Sequence, residues 1–86
     1  MKSCIVVVHD PLGLHARPAT RLVEVASGFE SDIALWRDND ETVMQADAKR
    51  IFDVLKLDVG QGECIELFVD GPDEDEALSA LVDLFS

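Results

Sequence analysis

A loop passes into a helix over the stretch Gly13-Leu14-His15-Ala16-Arg17-Pro18-Ala19-Thr20. Pro18 fits only the first turn of a helix, where its missing N–H costs nothing, so the helix should begin at His15 or Ala16. Gly28 is a natural stop at the other end. Small and apolar side chains recur at helical spacing and predict a buried face formed by Ala16, Ala19, Leu22, Val23 and Ala26.

The start of this helix suits an anion. Its first backbone N–H groups, those of Ala16 and Arg17, have no partner within the helix and attract negative charge together with the helix dipole. The guanidinium of Arg17 adds a fork that matches phosphate oxygens. The imidazole of His15 is nucleophilic near neutral pH. These residues predict a phosphohistidine at His15; a histidine that only caps the helix or faces solvent is the alternative on these residues alone.

The rest of the chain is predicted to form further strands and helices. Four strands are predicted from alternating or β-branched apolar residues, at residues 2–8, 31–37, 41–45 and 64–69. The first should be buried, and Ile33 and Leu35 of the second should face inward. A loop at residues 9–14 and turns at residues 38–40 and 60–62 separate these elements.

Two further helices follow from capping residues and apolar stripes. The second helix should begin near Asp47, a plausible N-cap, and carry the stripe Ile51, Phe52, Val54 and Leu55. The last should open at residues 71–73, where Asp73 and Glu76 have the spacing of a capping box. Its buried face would be formed by Ala77, Leu78, Leu81, Val82 and Phe85.

The predicted order is β-α-β-β-α-β-α in one domain spanning residues 1–86. An economical packing is an α+β fold in which three helices cover one face of a four-stranded, mostly antiparallel sheet. Apolar residues make up 48% of the chain, enough for a core.

Charge and composition narrow the classes of function. The chain has 7 basic and 18 acidic residues, a net charge of −11 that repels nucleic acid and anionic lipid surfaces. The longest apolar run, residues 4–8, is far shorter than the roughly 20 residues of a membrane span, so we expect a cytoplasmic protein without membrane insertion.

Cys4 and Cys64 form no Cys-x-x-Cys motif and should be buried hydrophobes. The acidic residues 73–76 suit a helix start. No metal or cofactor is expected, which makes a ferredoxin-like metal domain remote.

The loop-to-helix stretch resembles the active-site signature of the HPr family, the histidine-containing phosphocarriers of the bacterial phosphotransferase system. The segment Ala48-Lys49-Arg50-Ile51-Phe52-Asp53-Val54-Leu55 resembles the second helix of that family, where Ala-Lys-Ser-Ile is usual. Residues 71–77 are similar to the entry to its last helix. The resemblance covers nearly the whole chain.

The resemblance implies the open-faced β-sandwich of HPr and a covalent carrier rather than a turnover enzyme. His15 would accept phosphate at Nδ1 from Enzyme I, charged by phosphoenolpyruvate, and pass it to an Enzyme IIA domain in sugar transport. Arg17 and the N–H groups of Ala16 and Arg17 would stabilise the phosphorylated state. We expect a monomer. The alternative is an HPr-like regulatory module, in a nitrogen-related or catabolite branch, whose phosphorylation state controls partner binding.

Three departures from the family pattern bear on function. The regulatory serine of the family aligns with Arg50, so a serine kinase would find no hydroxyl there; the simpler role for Arg50 is a surface ion pair with Asp47. The loop over residues 38–47 is about four residues longer than usual, which we expect only to lengthen a hairpin. The predicted docking patch is mainly apolar, with Phe52 its most exposed apolar member, and consists of Thr20, Ile51, Phe52 and Leu55.

Overall fold

The structure is a computed structural model that describes residues 1–38 and 43–86. Its elements follow the predicted order: β1 (Lys2–Val7), α1 (Ala16–Ser27), β2 (Asp32–Asp38), β3 (Val43–Asp47), α2 (Ile51–Lys56), β4 (Cys64–Asp70) and α3 (Glu74–Leu84). Residues 39–42, which include most of the predicted turn and the first two residues of the predicted third strand, lie outside the described residues.

The strands form one antiparallel sheet in the order β1-β4-β2-β3. Leu67 of the central strand β4 lies opposite Cys4 on one side and Leu35 on the other, and Leu35 in turn lies opposite Ala46 of β3. Successive side chains of a strand point to opposite faces, so this register gathers alternate residues into one buried layer. The predicted α+β architecture, an open antiparallel sheet covered on one face, is confirmed.

The strand β1 is buried on one face only, so the prediction of a fully buried first strand was wrong. Val6 is 8% exposed, whereas its neighbour Ile5 is 67% exposed. An antiparallel sheet can leave one face to solvent, and this one carries its helices on the other face. The cysteines follow the same alternation: Cys4 is half-buried against the core, and Cys64 is exposed rather than buried.

The helices close the core with short apolar side chains. Leu22 of α1, Val54 of α2 and Leu81 of α3 are fully buried, and burying one such side chain contributes about 1.5–3 kcal/mol. Ala16, predicted on the buried face of α1, is exposed because it lies at the very start of the helix. Within residues 1–38 and 43–86, no helix combines the length and apolarity needed to cross a bilayer.

The second helix begins later than predicted. Asp47 pairs with Ala34 as the last residue of β3, and Arg50 occupies the N-cap position of α2. The Asp47 carboxylate accepts a hydrogen bond from the N–H of Lys49 at 2.9 Å. Strand pairing thus takes Asp47 away from the helix, and in the described part of the chain it forms no ion pair with Arg50. The contact between them is a backbone bond from the N–H of Arg50 to the carbonyl of Asp47 at 3.0 Å.

Asp73 ties α3 to the start of β2 instead of capping its own helix. It holds the N-cap position, but its side chain makes no capping bond, so the capping box was wrong. Its carboxylate accepts hydrogen bonds from the N–H groups of Glu30 and Ser31, each at 2.9 Å, and from the hydroxyl of Ser31. These donors lower the pKa of Asp73, the Ser31 hydroxyl most strongly and the N–H of Glu30 next.

A close backbone contact fixes the loop before α1. Gly13 has a φ of +69°, and a Cβ placed there would lie 2.3 Å from the carbonyl oxygen of Val59. The N–H of Leu14 donates to that same oxygen at 2.9 Å, and the side chain of Leu14 is buried. Only glycine combines this approach with a left-handed backbone.

We expect Gly13→Ala to lower the free energy of unfolding by about 2 kcal/mol or more, because it adds steric conflict to the cost of a left-handed alanine. Denaturant titration measures this loss. The matched control is Gly62→Ala, where φ is +87° but no atom lies within 4 Å of the added Cβ. Equal losses in the two variants would contradict the close-contact argument.

We expect Asp73→Asn to destabilise the fold at neutral pH. Because the folded pKa lies below the ordinary value of 3.8, the carboxylate stabilises the protein above that value and loses its effect as pH falls through the folded pKa. Denaturation curves of wild type and variant should therefore differ at pH 7, and the difference should shrink as pH falls below about 4 toward the folded pKa. Asp75→Asn is the control, since its carboxylate is 75% exposed and, among the described residues, pairs with the half-exposed Lys2 alone. A difference that persists unchanged at pH 3 would contradict this account.

Candidate functional site

His15 stands at the N-cap position of α1. Its backbone is extended, with φ −129° and ψ 163°, and its side chain makes no capping hydrogen bond. The ring is 40% exposed. The alternative of a simple capping histidine therefore does not hold, and the ring is open to a partner molecule.

One nitrogen of the ring has an acidic neighbour. Nε2 of His15 lies 3.1 Å from Oδ1 of Asp58, within hydrogen-bonding distance. Among the described residues, no hydrogen bond involves Nδ1. The contact leaves Nδ1 as the ring nitrogen open to chemistry.

The first turns of α1 carry two arginines, Arg17 and Arg21. Arg17 is exposed, and it lines an open hollow whose other lining residues are Asp10, Leu12, Ala16, Pro18 and Arg21. Within residues 1–38 and 43–86, neither arginine forms an ion pair. The N–H groups of the first helical turn lie here too, so the hollow suits an anion. Two residues of the predicted site, Ala16 and Arg17, thus line this hollow next to His15 in the chain, and Arg21, which the sequence analysis did not single out, lines it with them.

Ala16 adopts an unusual backbone conformation, with a φ of +51°. Alanine pays a steric cost in the left-handed region. The described residues contain one other non-glycine position with positive φ, and it is Asp58, also at +51°. Both lie against His15, one next to it in the chain and one across from its ring.

The segment that carries Asp58 is clamped by Arg37. Its guanidinium donates to the carbonyl oxygens of Leu57 and Asp58 and to the carboxylate of Glu63. Glu63 also accepts the N–H of Gly60 at 2.7 Å. The pKa of Glu63 is lowered, chiefly by that N–H and then by Arg37. Residues 57–63 are therefore held by hydrogen bonds to charged side chains. No local sequence pattern predicts these bonds.

The predicted docking residues differ in exposure. Phe52 is 76% exposed. Ile51 and Leu55 are half-buried and pack against the core, so they serve the fold as well as any surface. Thr20 is exposed, and its hydroxyl donates to the carbonyl of Ala16 at 3.1 Å. The helices that carry these residues, α1 and α2, pack against each other.

Basic residues are concentrated on these two helices although the chain is strongly acidic. The chain has 7 lysines and arginines. Two of them lie on strands of the sheet: Lys2 pairs with Asp75, and Arg37 pairs with Glu63. The other basic residues lie on α1, on α2 or directly before α2: Arg17, Arg21, Lys49, Arg50 and Lys56. Among the described residues, no group of three or more His, Cys, Asp or Glu could hold a metal ion.

Comparison with known proteins places this arrangement in a family. A family model described as the PTS HPr component phosphorylation site matches residues 2–86. The chain is 41% identical over 81 residues to the phosphocarrier protein NPr of Escherichia coli K12, covering 94% of this chain and 87% of that protein. It is 47% identical over 73 residues to the phosphocarrier protein HPr of Treponema pallidum, covering 85% and 78%.

A solved structure shares the fold. The crystal structure of HPr-C-His from Thermoanaerobacter tengcongensis superposes with a TM-score of 0.88 at 40% identity, over 99% of this chain and 91% of that one. The match spans the sheet, the helices and the loop that carries His15. The chain therefore belongs to the HPr family of phosphocarriers of the phosphotransferase system.

Proposed function

We propose that His15 is the phosphorylated residue of this carrier: it accepts a phosphoryl group from Enzyme I at Nδ1 and passes it to an Enzyme IIA domain of the sugar phosphotransferase system. The proposal includes a cytoplasmic, monomeric protein. The observation that carries it is the ring at the N-terminus of α1, with Nε2 beside Asp58 and Nδ1 left without a partner among the described residues.

Transfer needs a nucleophile with an available lone pair. The pair on Nδ1 attacks the phosphorus, a nitrogen–phosphorus bond forms, and the bond to the donor breaks with its electrons moving to the donor. The second transfer reverses this: the bond to Nδ1 breaks and its electron pair returns to the ring. The protein is therefore regenerated in each cycle.

The surroundings favour a phosphoryl group without enclosing it. The N-terminus of a helix stabilises a nearby anion by about 0.3–1 kcal/mol at an exposed site. Arg17 and Arg21 can add charge-assisted hydrogen bonds to phosphate oxygens. Both arginines are exposed, so a partner protein could reach the group and remove it.

The basic residues of α1 and α2, together with Phe52, fit an acidic partner surface with an apolar centre. Opposite charges across an interface speed encounter and set orientation more than they add affinity. The whole chain has a net charge of −11, so the acidic residues elsewhere on the molecule would turn these helices toward such a partner.

A regulatory role is the second candidate. Arg50 stands where the family carries its regulatory serine and offers no hydroxyl to a kinase. The 41% identity to NPr also fits a branch other than sugar uptake. Acceptance of the phosphoryl group by a sugar-specific Enzyme IIA would favour the first candidate, and refusal by such domains would favour the second.

We expect the wild-type protein to gain one acid-labile phosphoryl group when incubated with phosphoenolpyruvate and Enzyme I, as measured by intact mass. His15→Ala should gain none, because it removes the nucleophile. The control is His9→Ala, which removes the chain's other histidine and should be phosphorylated normally. An equal gain in His15→Ala would refute the assignment.

We expect Phe52→Ala to slow phosphoryl transfer from Enzyme I while the free energy of unfolding stays within about 0.5 kcal/mol of wild type, because its side chain is largely exposed. The matched control is Ile5→Ala, a residue 67% exposed on the open face of the sheet, away from the helices. The transfer rates are measured by quenching the reaction at successive times and determining the phosphorylated fraction. Unchanged kinetics in Phe52→Ala, or equal slowing in both variants, would remove Phe52 from the docking surface.

A further inference from the structure

We propose that Asp58 is a positioning residue for His15: its carboxylate accepts the Nε2–H of the ring, keeps the lone pair on Nδ1 and offsets the charge that the ring gains on phosphorylation. This inference rests on the proposed function of His15. It assigns a role to a residue that neither the sequence motif nor the first helix contains.

The placement of Asp58 is first a matter of distance. Its Oδ1 lies 3.1 Å from Nε2, where an ionised carboxylate can only accept a hydrogen bond. A neutral imidazole carries one proton, and the acceptor beside one nitrogen decides which nitrogen holds it. Asp58 therefore favours the ring form with hydrogen on Nε2 and the lone pair on Nδ1.

Backbone strain points to the same residue. Asp58 and Ala16 are the non-glycine residues with positive φ in the described part of the chain, and both adjoin His15. Such conformations are unfavourable for residues other than glycine and persist only where the surrounding structure enforces them. Aspartate tolerates this region better than most residues.

The surrounding structure enforces the conformation of Asp58 from both sides. Arg37 binds the carbonyl oxygens of Leu57 and Asp58. The carbonyl of Val59 accepts the N–H of Leu14, the residue before His15. The backbone that carries the carboxylate and the backbone that carries the ring are thus joined directly, and their separation follows from the fold.

The proton balance of the transfer fits this role. When Nδ1 bonds to phosphorus, the ring holds a phosphoryl group on Nδ1 and a proton on Nε2, and is cationic. The Asp58 carboxylate lies beside that proton and opposes its loss. When the bond to phosphorus breaks, the electron pair returns to Nδ1 and the proton stays on Nε2. No proton has to move to or from Asp58 in either transfer.

The test compares wild type with Asp58→Gly, which removes the carboxylate and relieves the positive φ, so folding should be preserved. Nitrogen-15 NMR of the unphosphorylated protein, at a pH where the ring is neutral, reports which nitrogen of His15 carries hydrogen. We expect a predominance of the Nε2–H form in wild type and a shift toward Nδ1–H in Asp58→Gly. Asp58→Asn, which keeps an acceptor oxygen without the charge, should lie between them.

The same variants are then assayed for transfer from Enzyme I. Because the pair is exposed, we expect Asp58→Gly to slow transfer by about two- to fivefold, with Asp58→Asn slowed less. Asp75→Asn, which removes a distant exposed carboxylate, should change neither readout. A tautomer ratio that is unaltered in Asp58→Gly, or a wild-type transfer rate in that variant, would overturn the role of Asp58. Failure of the wild type itself to gain a phosphoryl group would instead overturn the proposed function.

Discussion

The candidate functional site depends on one backbone contact, the hydrogen bond from the N–H of Leu14 to the carbonyl of Val59. Gly13 permits it, since any side chain there would collide with the same carbonyl. The buried side chain of Leu14 anchors one partner of the bond, and Arg37 anchors the segment that holds the other. This contact sets the start of α1, and with it the ring of His15, against residues 57–60.

What the sequence predicted well rests on local signals. Pro18 must lie in a first helical turn, and that alone located the start of α1 next to His15. Two of the errors arose where a long-range contact took a residue that local chemistry had assigned elsewhere. Asp47 is a good N-cap by type, but it pairs with Ala34 in the sheet. Asp73 has a capping-box partner at the right spacing, yet its carboxylate binds Ser31 and Glu30 instead.

In the candidate site, too, the residues linked by local sequence could be predicted, and those linked by long-range contacts could not. His15 and Arg17 are two residues apart in the sequence and belong to one motif, so the sequence could predict both as parts of one site. Asp58 meets the ring only through the return of the chain after α2, and Arg37 reaches that segment from β2. No periodicity or spacing links these positions. The net charge did not predict the location of the basic residues either. A sum of −11 does not reveal that most of them lie on α1, on α2 or directly before α2.

A reversible carrier has to hold its phosphoryl group firmly enough to be loaded and loosely enough to be unloaded. Deep burial would stabilise the group but exclude the acceptor, whereas a fully mobile histidine would lose the orientation on which transfer depends. Here the ring is partly exposed, and the arginines beside it are at the surface. The backbone around the ring is instead held in place by the buried side chain of Leu14 and by the hydrogen bonds of Arg37 to residues 57 and 58. Each interaction with the ring is weak because it is exposed, and the fold supplies the order that those interactions could not maintain by themselves.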